Sequence, residues 1–316
     1  MDYDDLVDEA LAAAQPYRGR GTIPTYIPAL SRVDPNKLGI ALATADGSVH
    51  CAGDGQEPFS IQSISKVFTL GLALRHVKAA LWNGVGREPS GSPFNSIVQL
   101  EAEKAKPRNP LINAGAIVTC DRLMGRRSAD ETVDEILGFL REQAGDDSIV
   151  IDEEVAQSEA SAGTRNRSLA YFIAAFGNLD NPVEEVLSVY FRQCAIAMSC
   201  AQLARASLHL AFDGVDPCSG NAVMIPSRAR RINAVMMTSG HYDNSGEFAY
   251  NIGLPGKSGV GGGILAVIPG VGTVVVWSPG LNAAGTSLAG AVALERLVEC
   301  SGWSVFAHPL ASGPTD

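Results

Sequence analysis

Charge is scarce in this 316-residue chain: 18% of residues are charged and 46% are hydrophobic, with acids in excess for a net charge of −10. An acidic surface repels phosphate backbones, which argues against nucleic acid as a partner. No uninterrupted apolar run reaches the roughly 20 residues that a membrane helix needs. The longest candidate, Ile264 to Val276, is cut by Pro269-Gly270 and Gly272. The first residues, Met1-Asp2-Tyr3-Asp4-Asp5-Leu6-Val7-Asp8-Glu9, have neither the basic nor the apolar stretch of a secretory signal. The six cysteines (Cys51, Cys120, Cys194, Cys200, Cys218 and Cys300) form no Cys-x-x-Cys pair, and His50, His76, His209, His241 and His308 are dispersed. The cysteines are therefore read as reduced and mostly buried, and no metal site, cofactor or Ser-His-Asp triad is expected. His241, beside Tyr242, is read as a surface residue that could lie near a cleft. These absences together predict a soluble, cytoplasmic protein without a membrane partner. Internal repeats and low-complexity linkers are also missing. The hydrophobic content rules out a mostly disordered chain, and the length fits one large domain or two lobes sharing a cleft. What is abundant is glycine, 33 residues, including the run Gly259-Val260-Gly261-Gly262-Gly263. Glycine is placed where backbone must bend or approach something closely.

Apolar periodicity predicts an α+β chain. Residues 3–14 carry Leu6, Val7, Ala10, Leu11 and Ala14 on one helical face. Residues 38–44 read as a strand, and Asp46-Gly47 as a hairpin turn into Ser48–Cys51. A helix is expected from about Ser63 through Leu74. From about 78 to 245 the patterns are helical, around 113–124, 130–143, 166–176, 182–194, 200–212 and 227–239, without a convincing strand. β-Branched runs return at Gly263–Ile268 and Thr273–Trp277, joined by a hairpin at Pro269-Gly270-Val271-Gly272. A last helix spans about 287–300, with Thr286 as its expected N-cap. The layout predicts a single domain: an antiparallel sheet formed from both chain ends (about 1–77 and 246–316), flanked by the terminal helices, with an inserted helical lobe (about 78–245). Residues 312–316 read as a frayed tail.

Two short motifs carry chemistry. In Gln62-Ser63-Ile64-Ser65-Lys66, Ser63 and Lys66 are three apart and share one helical face. A serine at a helix N-terminus gains from the dipole, and a neutral lysine one turn on can take its proton. This Ser-x-x-Lys pattern is the nucleophile element of penicillin-binding proteins and serine β-lactamases. Its bland alternative is an N-cap serine and a solvated lysine. The second motif, Lys257-Ser258-Gly259, precedes the predicted hairpin, where that architecture places a cleft-lining strand. Its bland alternative is a turn. Both motifs in order, in this layout, weigh more than either alone. In the helical region, Pro107–Ile117 opens a helix at an Asn, and Glu159 and Asn166 lie seven apart, on one helix or across a turn at Gly163. Read singly, these are caps and surface ion pairs.

Longer segments decide between these readings. Gln-Ser-Ile-Ser-Lys-Val-Phe at 62–68, Asn-Pro-Leu-Ile-Asn-Ala-Gly-Ala-Ile at 109–117, Tyr242 to Glu247, Gly253 to Ile264 and Tyr26-Ile27-Pro28-Ala29-Leu30 resemble the bacterial-type glutaminases over about residues 20–290. The resemblance implies a serine β-lactamase/penicillin-binding-protein-like fold and hydrolysis of L-glutamine to L-glutamate and ammonia, without a cofactor, by a homodimer or homotetramer. Carried over by position, it implies Ser63 as nucleophile, Lys66 as general base, and a substrate-binding set of Ser63, Asn113, Glu159, Asn166, Tyr190, Tyr242 and Val260. The family's cleft-gating tyrosine falls on Tyr26. The chain departs from the family at Ala195, where Ser is usual, and at Thr286, where Asn is usual; neither position is catalytic.

The chemistry required is consistent with those assignments. Ser63 would form a glutamyl ester, and backbone N–H groups of Ser63 and Val260 would hold the oxyanion. Lys66 must be neutral, a shift from near 10.4 to about 7 that is worth roughly 4–5 kcal/mol. Burial and a second cation, Lys257, with Ser258 and Gly259 in support, are the expected causes. Tyr190 is favoured over Tyr242 to relay a proton to the leaving ammonia. Glu159 suits the α-ammonium, and the Asn and Tyr side chains suit the α-carboxylate and amide. A penicillin-recognising enzyme shares both short motifs, but its Ser-x-Asn element would have to be Ser219-Gly220-Asn221, in a predicted loop. A non-catalytic glutamine-binding protein would be expected to lack Ser63 or Lys66, and both are present.

Overall fold

The computed structural model describes residues 2–91 and 96–307. Met1, residues 92–95 and residues 308–316, with His308 and the tail expected at 312–316, lie outside the described residues. The strands, in chain order, are β1 (Gly39–Thr44), β2 (Val49–Gly53), β3 (Phe59–Ser60), β4 (Val150–Ile151), β5 (Ile196–Met198), β6 (Gly256–Ser258), β7 (Gly263–Ile268) and β8 (Gly272–Trp277). Five form an antiparallel sheet in the order β2-β1-β8-β7-β6, so strands from before and after the long helical stretch join in one sheet where β1 pairs with β8. Leu42 of β1 lies opposite Val274 of β8.

Alternation along these strands explains why they read as continuous apolar runs. Ile40, Leu42, Ile264, Ala266, Val274 and Val276 face one cluster with Leu6, Val7, Ala10, Leu294 and Leu297, from the helices Tyr3–Ala14 and Leu288–Ser301. Ala41, Leu265, Val267, Val275 and Trp277 face the other way, into the cluster shared with the helical stretch. A strand covered on both faces has no polar side to show, so period two vanishes from its sequence. The sheet is thereby clamped between two apolar layers, and its β6 edge is left to carry Lys257.

Three expectations need correction. The central stretch does contain strands: β4 and β5 join β3 in a second sheet, order β3-β5-β4. They are two and three residues long, too short for any periodicity to register. This small sheet, extended by Ile61 N–H donating to Ile196 O at 2.9 Å, anchors the segment just before Ser63. The last helix is capped by Ser287, not Thr286: Ser287 Oγ accepts from Gly290 N at 3.2 Å and donates to Ser278 O at 2.7 Å. Thr286 Oγ1 is buried with no partner among the described residues. Finally, of the six free cysteines, Cys120, Cys194 and Cys200 are buried, Cys51 and Cys300 partly so, and Cys218 is exposed.

Candidate active site

Ser63 sits in a single 3-10 turn, Gln62–Ile64, that runs directly into the helix Ser65–His76. The residue before it, Gln62, adopts φ 49°, a left-handed backbone that costs a non-glycine residue about 1–3 kcal/mol. Neighbours hold it there. Gln62 Nε2 donates to Ser60 Oγ at 2.9 Å, Ser60 Oγ donates to Cys194 O at 2.9 Å, and the Gln62 side chain is also bonded to Glu159. Opposite lies the glycine run: residues 259–262 form a tight turn between β6 and β7, and Gly263 opens β7. An added Cβ would meet Ile61 O at 2.6 Å from Gly259 and Ser60 O at 2.3 Å from Gly261. The glycines thus let this turn pack onto the backbone that carries Ser63. Among the described residues no acceptor takes the Val260 N–H.

Ser63 and Val260 line a cleft of about 560 Å³, solvent at its mouth included, together with Tyr26, Gln62, Asn113, Glu159, Asn166 and Tyr190. Glu159 and Asn166 are supplied by two helices, Glu153–Ala162 and Thr164–Ala175, broken at Gly163. Tyr26, 55% exposed, stands at the mouth. Behind the cleft, Lys66 is 1% exposed and donates to Asn113 Oδ1 at 2.7 Å and to Leu111 O at 3.4 Å; Asn113 Nδ2 in turn donates to Asn166 Oδ1 at 2.9 Å. Lys66 Nζ lies 5.7 Å from the ring centres of both Tyr190 and Tyr242. Tyr242, itself at φ 58°, shares a hydrogen bond with Ser63, whereas the Tyr190 hydroxyl is bonded to Cys194.

Burial dominates the electrostatics. It pulls the Lys66 ammonium down to about 8, opposed by the nearby Cys194 and Glu159. Glu159 is pushed up to about 7 by burial, against its bond from Gln62 and the charge of Lys66. Lys257 is driven well below the usual lysine range by burial and then by Lys66. The two hydrogens of a neutral amine suffice for its bonds to Gly240 O at 2.9 Å and Ser258 O at 2.6 Å. Burial is thus the first cause of the lowered Lys66, and Lys257 is itself lowered beside it. A buried nucleophile next to a lysine poised near neutrality and a carboxyl poised near neutrality can perform acyl transfer on a substrate bearing an ammonium group.

The family model described as Glutaminase matches residues 21–306. The chain belongs to the glutaminase family. It is 57% identical over 305 residues to a glutaminase of Rhizobium rhizogenes, covering 96% of this chain and 99% of that one, and 56% identical, with the same coverage, to a thermolabile glutaminase of Rhizobium etli. A solved structure of the probable glutaminase ybaS shares 37% identity with a TM-score of 0.90, over 97% of this chain and 99% of that one. The Bacillus subtilis probable glutaminase shares 32% with a TM-score of 0.86, over 96% and 98%. The fold is thus the α+β, serine β-lactamase-like one.

Within this glutaminase-family cleft, Tyr26, Ser63, Asn113, Glu159, Asn166, Tyr190 and Val260 come together, while Lys66, Tyr242, Lys257, Ser258 and Gly259 lie behind its lining. Ser219, of the Ser-Gly-Asn element, bonds to Asp216 and is not in the lining. His241 is not a surface residue: it is 1% exposed, packed on Phe248. Sequence reasoning gave no role to Gln62, Arg165 or Cys194, all of which line the cleft. Gln62 stood inside the recognised segment; nothing in its spacing signals a left-handed backbone. Cys194 is pushed up to about 12 by burial, so it contributes shape and a hydrogen bond, not a thiolate.

Proposed function

We propose that this enzyme hydrolyses the side-chain amide of L-glutamine to L-glutamate and ammonia through a glutamyl ester on Ser63. The observation that carries the reading is the hydrogen bond between Ser63 and Tyr242, whose ring centre lies 5.7 Å from the buried Lys66, lowered to about 8. Ser63 Oγ attacks the amide carbon, and its proton passes by way of the Tyr242 hydroxyl to neutral Lys66. The N–H groups of Ser63 and Val260 hold the oxyanion; the lack of another acceptor for Val260 N–H among the described residues supports this role. Collapse of the tetrahedral adduct breaks the C–N bond as the same proton returns through Tyr242 to the departing nitrogen, releasing ammonia. Tyr242 supports the relay better than Tyr190, the residue favoured from sequence, because Tyr190 is bonded to Cys194 instead. Water then gives a proton to Lys66, attacks the ester and frees glutamate, and the proton goes back to Ser63 Oγ.

Glutamine brings an ammonium and a carboxylate. Glu159 pairs with the ammonium, which restores its anionic form on binding; Asn113, Asn166, Tyr26 and Tyr190 are available to the carboxylate and amide. A homodimer or homotetramer in the cytoplasm completes the proposal. Ammonia release from L-glutamine and L-asparagine, by the native protein and S63A, tests it. The native protein should act on glutamine and S63A should fall to background; activity surviving in S63A overturns the mechanism, and equal rates on asparagine overturn the substrate.

A further inference from the structure

One deeply buried ionisable side chain beside the site has no part in the proposed reaction. His241 is 1% exposed, and neither ring nitrogen has a hydrogen-bond partner among the described residues. Every imidazole carries at least one N–H, so a donor is buried unmet, at a cost in desolvation. Native proteins keep few such groups, and each calls for a reason. The ring is held by shape: it lies flat on Phe248, with centroids 3.6 Å apart and planes at 16°. A Cβ added at Gly256 would sit 3.0 Å from Nε2, so the strand backbone closes over the ring on β6. The main chain is pinned as well. His241 N–H donates to Ser245 Oγ at 3.1 Å, and that hydroxyl donates to Tyr242 O at 2.9 Å.

The residues on either side of His241 both serve the cleft. Gly240 O accepts from Lys257 Nζ at 2.9 Å. Tyr242 turns at φ 58°, places its ring centre 4.2 Å from Lys257 Nζ, and bonds to Ser63. A tyrosine holds a left-handed backbone only where its surroundings impose it. We infer that His241 is a positioning residue for Tyr242: its ring, wedged between Phe248 and the Gly256 backbone, imposes the turn that brings the Tyr242 hydroxyl to Ser63. This rests on the relay role proposed above for Tyr242. It also accounts for the unmet ring nitrogens. The task is to fill a space rigidly beside a buried lysine, where a protonated ring would find no acceptor.

A double-mutant cycle tests the inference, with kcat and KM for glutamine measured in H241A, H241M, Y242F and H241A/Y242F. H241A should lower kcat about tenfold or more while KM stays within about twofold, and H241M, apolar and of similar bulk, should recover most of the loss. In the Y242F background the same H241A change should alter kcat by less than about twofold, because the hydroxyl it positions is gone. A full loss persisting in Y242F, or a change in KM alone, overturns the inference. If H241A does not fold, H241L, which lacks the flat stack on Phe248, runs the same cycle with the same criteria. Native kcat in Y242F overturns the relay role itself, a failure distinct from additivity.

Discussion

Under the terminal helices, Ile40, Leu42, Ile264, Val274 and Val276 of the sheet meet Leu6, Val7, Leu294 and Leu297, and this cluster is apolar throughout. Around Lys257, on the edge strand of the same sheet, Lys66 and His241 are buried just as deeply, and Glu159 is 6% exposed nearby. The first region gains free energy from every methyl group it removes from water. The second holds bases and a carboxyl out of water, against solvation, together with two left-handed non-glycine residues, Gln62 and Tyr242. Stability and reactivity are therefore supplied by different parts of one sheet, and each can be altered without the other.

Lys66→Met is the sharpest way to separate them. We expect activity to fall by about a thousandfold or more, with stability at pH 7 rising by about 1–3 kcal/mol in chemical denaturation. The sign follows from Lys66 being lowered to about 8 in the folded chain. The unfolded chain binds the proton more tightly, so the penalty is full below about 8 and disappears as pH rises toward 10. The gap between variant and native should close over that window; a gap independent of pH would contradict the burial account. The next effect in size is on the native enzyme. Glu159 must be anionic and Lys66 neutral, and they sit at about 7 and 8, so kcat/KM should drop about five-hundredfold from pH 8 to pH 6. A flat profile would remove both residues from the mechanism.

Gly261→Ala probes the contact between the glycine turn and the nucleophile segment. The new methyl would lie 2.3 Å from Ser60 O, so backbone must shift, and kcat should fall about tenfold with KM less affected. An unchanged kcat would mean that the turn adapts freely. The smallest effect on activity belongs to the apolar face. Ile40→Ala should lose about 2–5 kcal/mol of stability and leave kcat/KM at 25 °C within about twofold. A matching loss of activity would show that the two regions are not separable.

The sequence revealed these regions unequally. The β1–β2 and β7–β8 hairpins and most helices were legible because turn residues and apolar periodicity are local signals. β4 and β5 were not, since a two-residue strand is defined by its partner and not by its own pattern. In the site, residues identified by type and motif (Ser63, Glu159, Asn113) converge on one cleft. What stayed hidden was environment. Neither the left-handed Gln62, nor the burial that lowers both lysines, nor the burial of His241 can be read from spacing, because each depends on groups distant in the chain.

Leu42 lies opposite Val274, and the turn holding Val260 closes on the turn holding Ser63. A chain emerging from the ribosome therefore shows its nucleophile, both helices of the substrate pocket and strand β1 long before the strands that complete them exist. The pairing is of the slow, non-local kind, in which the unpaired edge of β1 must wait for the last third of the polypeptide. A chain that stops short of β8 therefore leaves β1 without this partner, and the catalytic centre is assembled only after residues through Trp277 have been made.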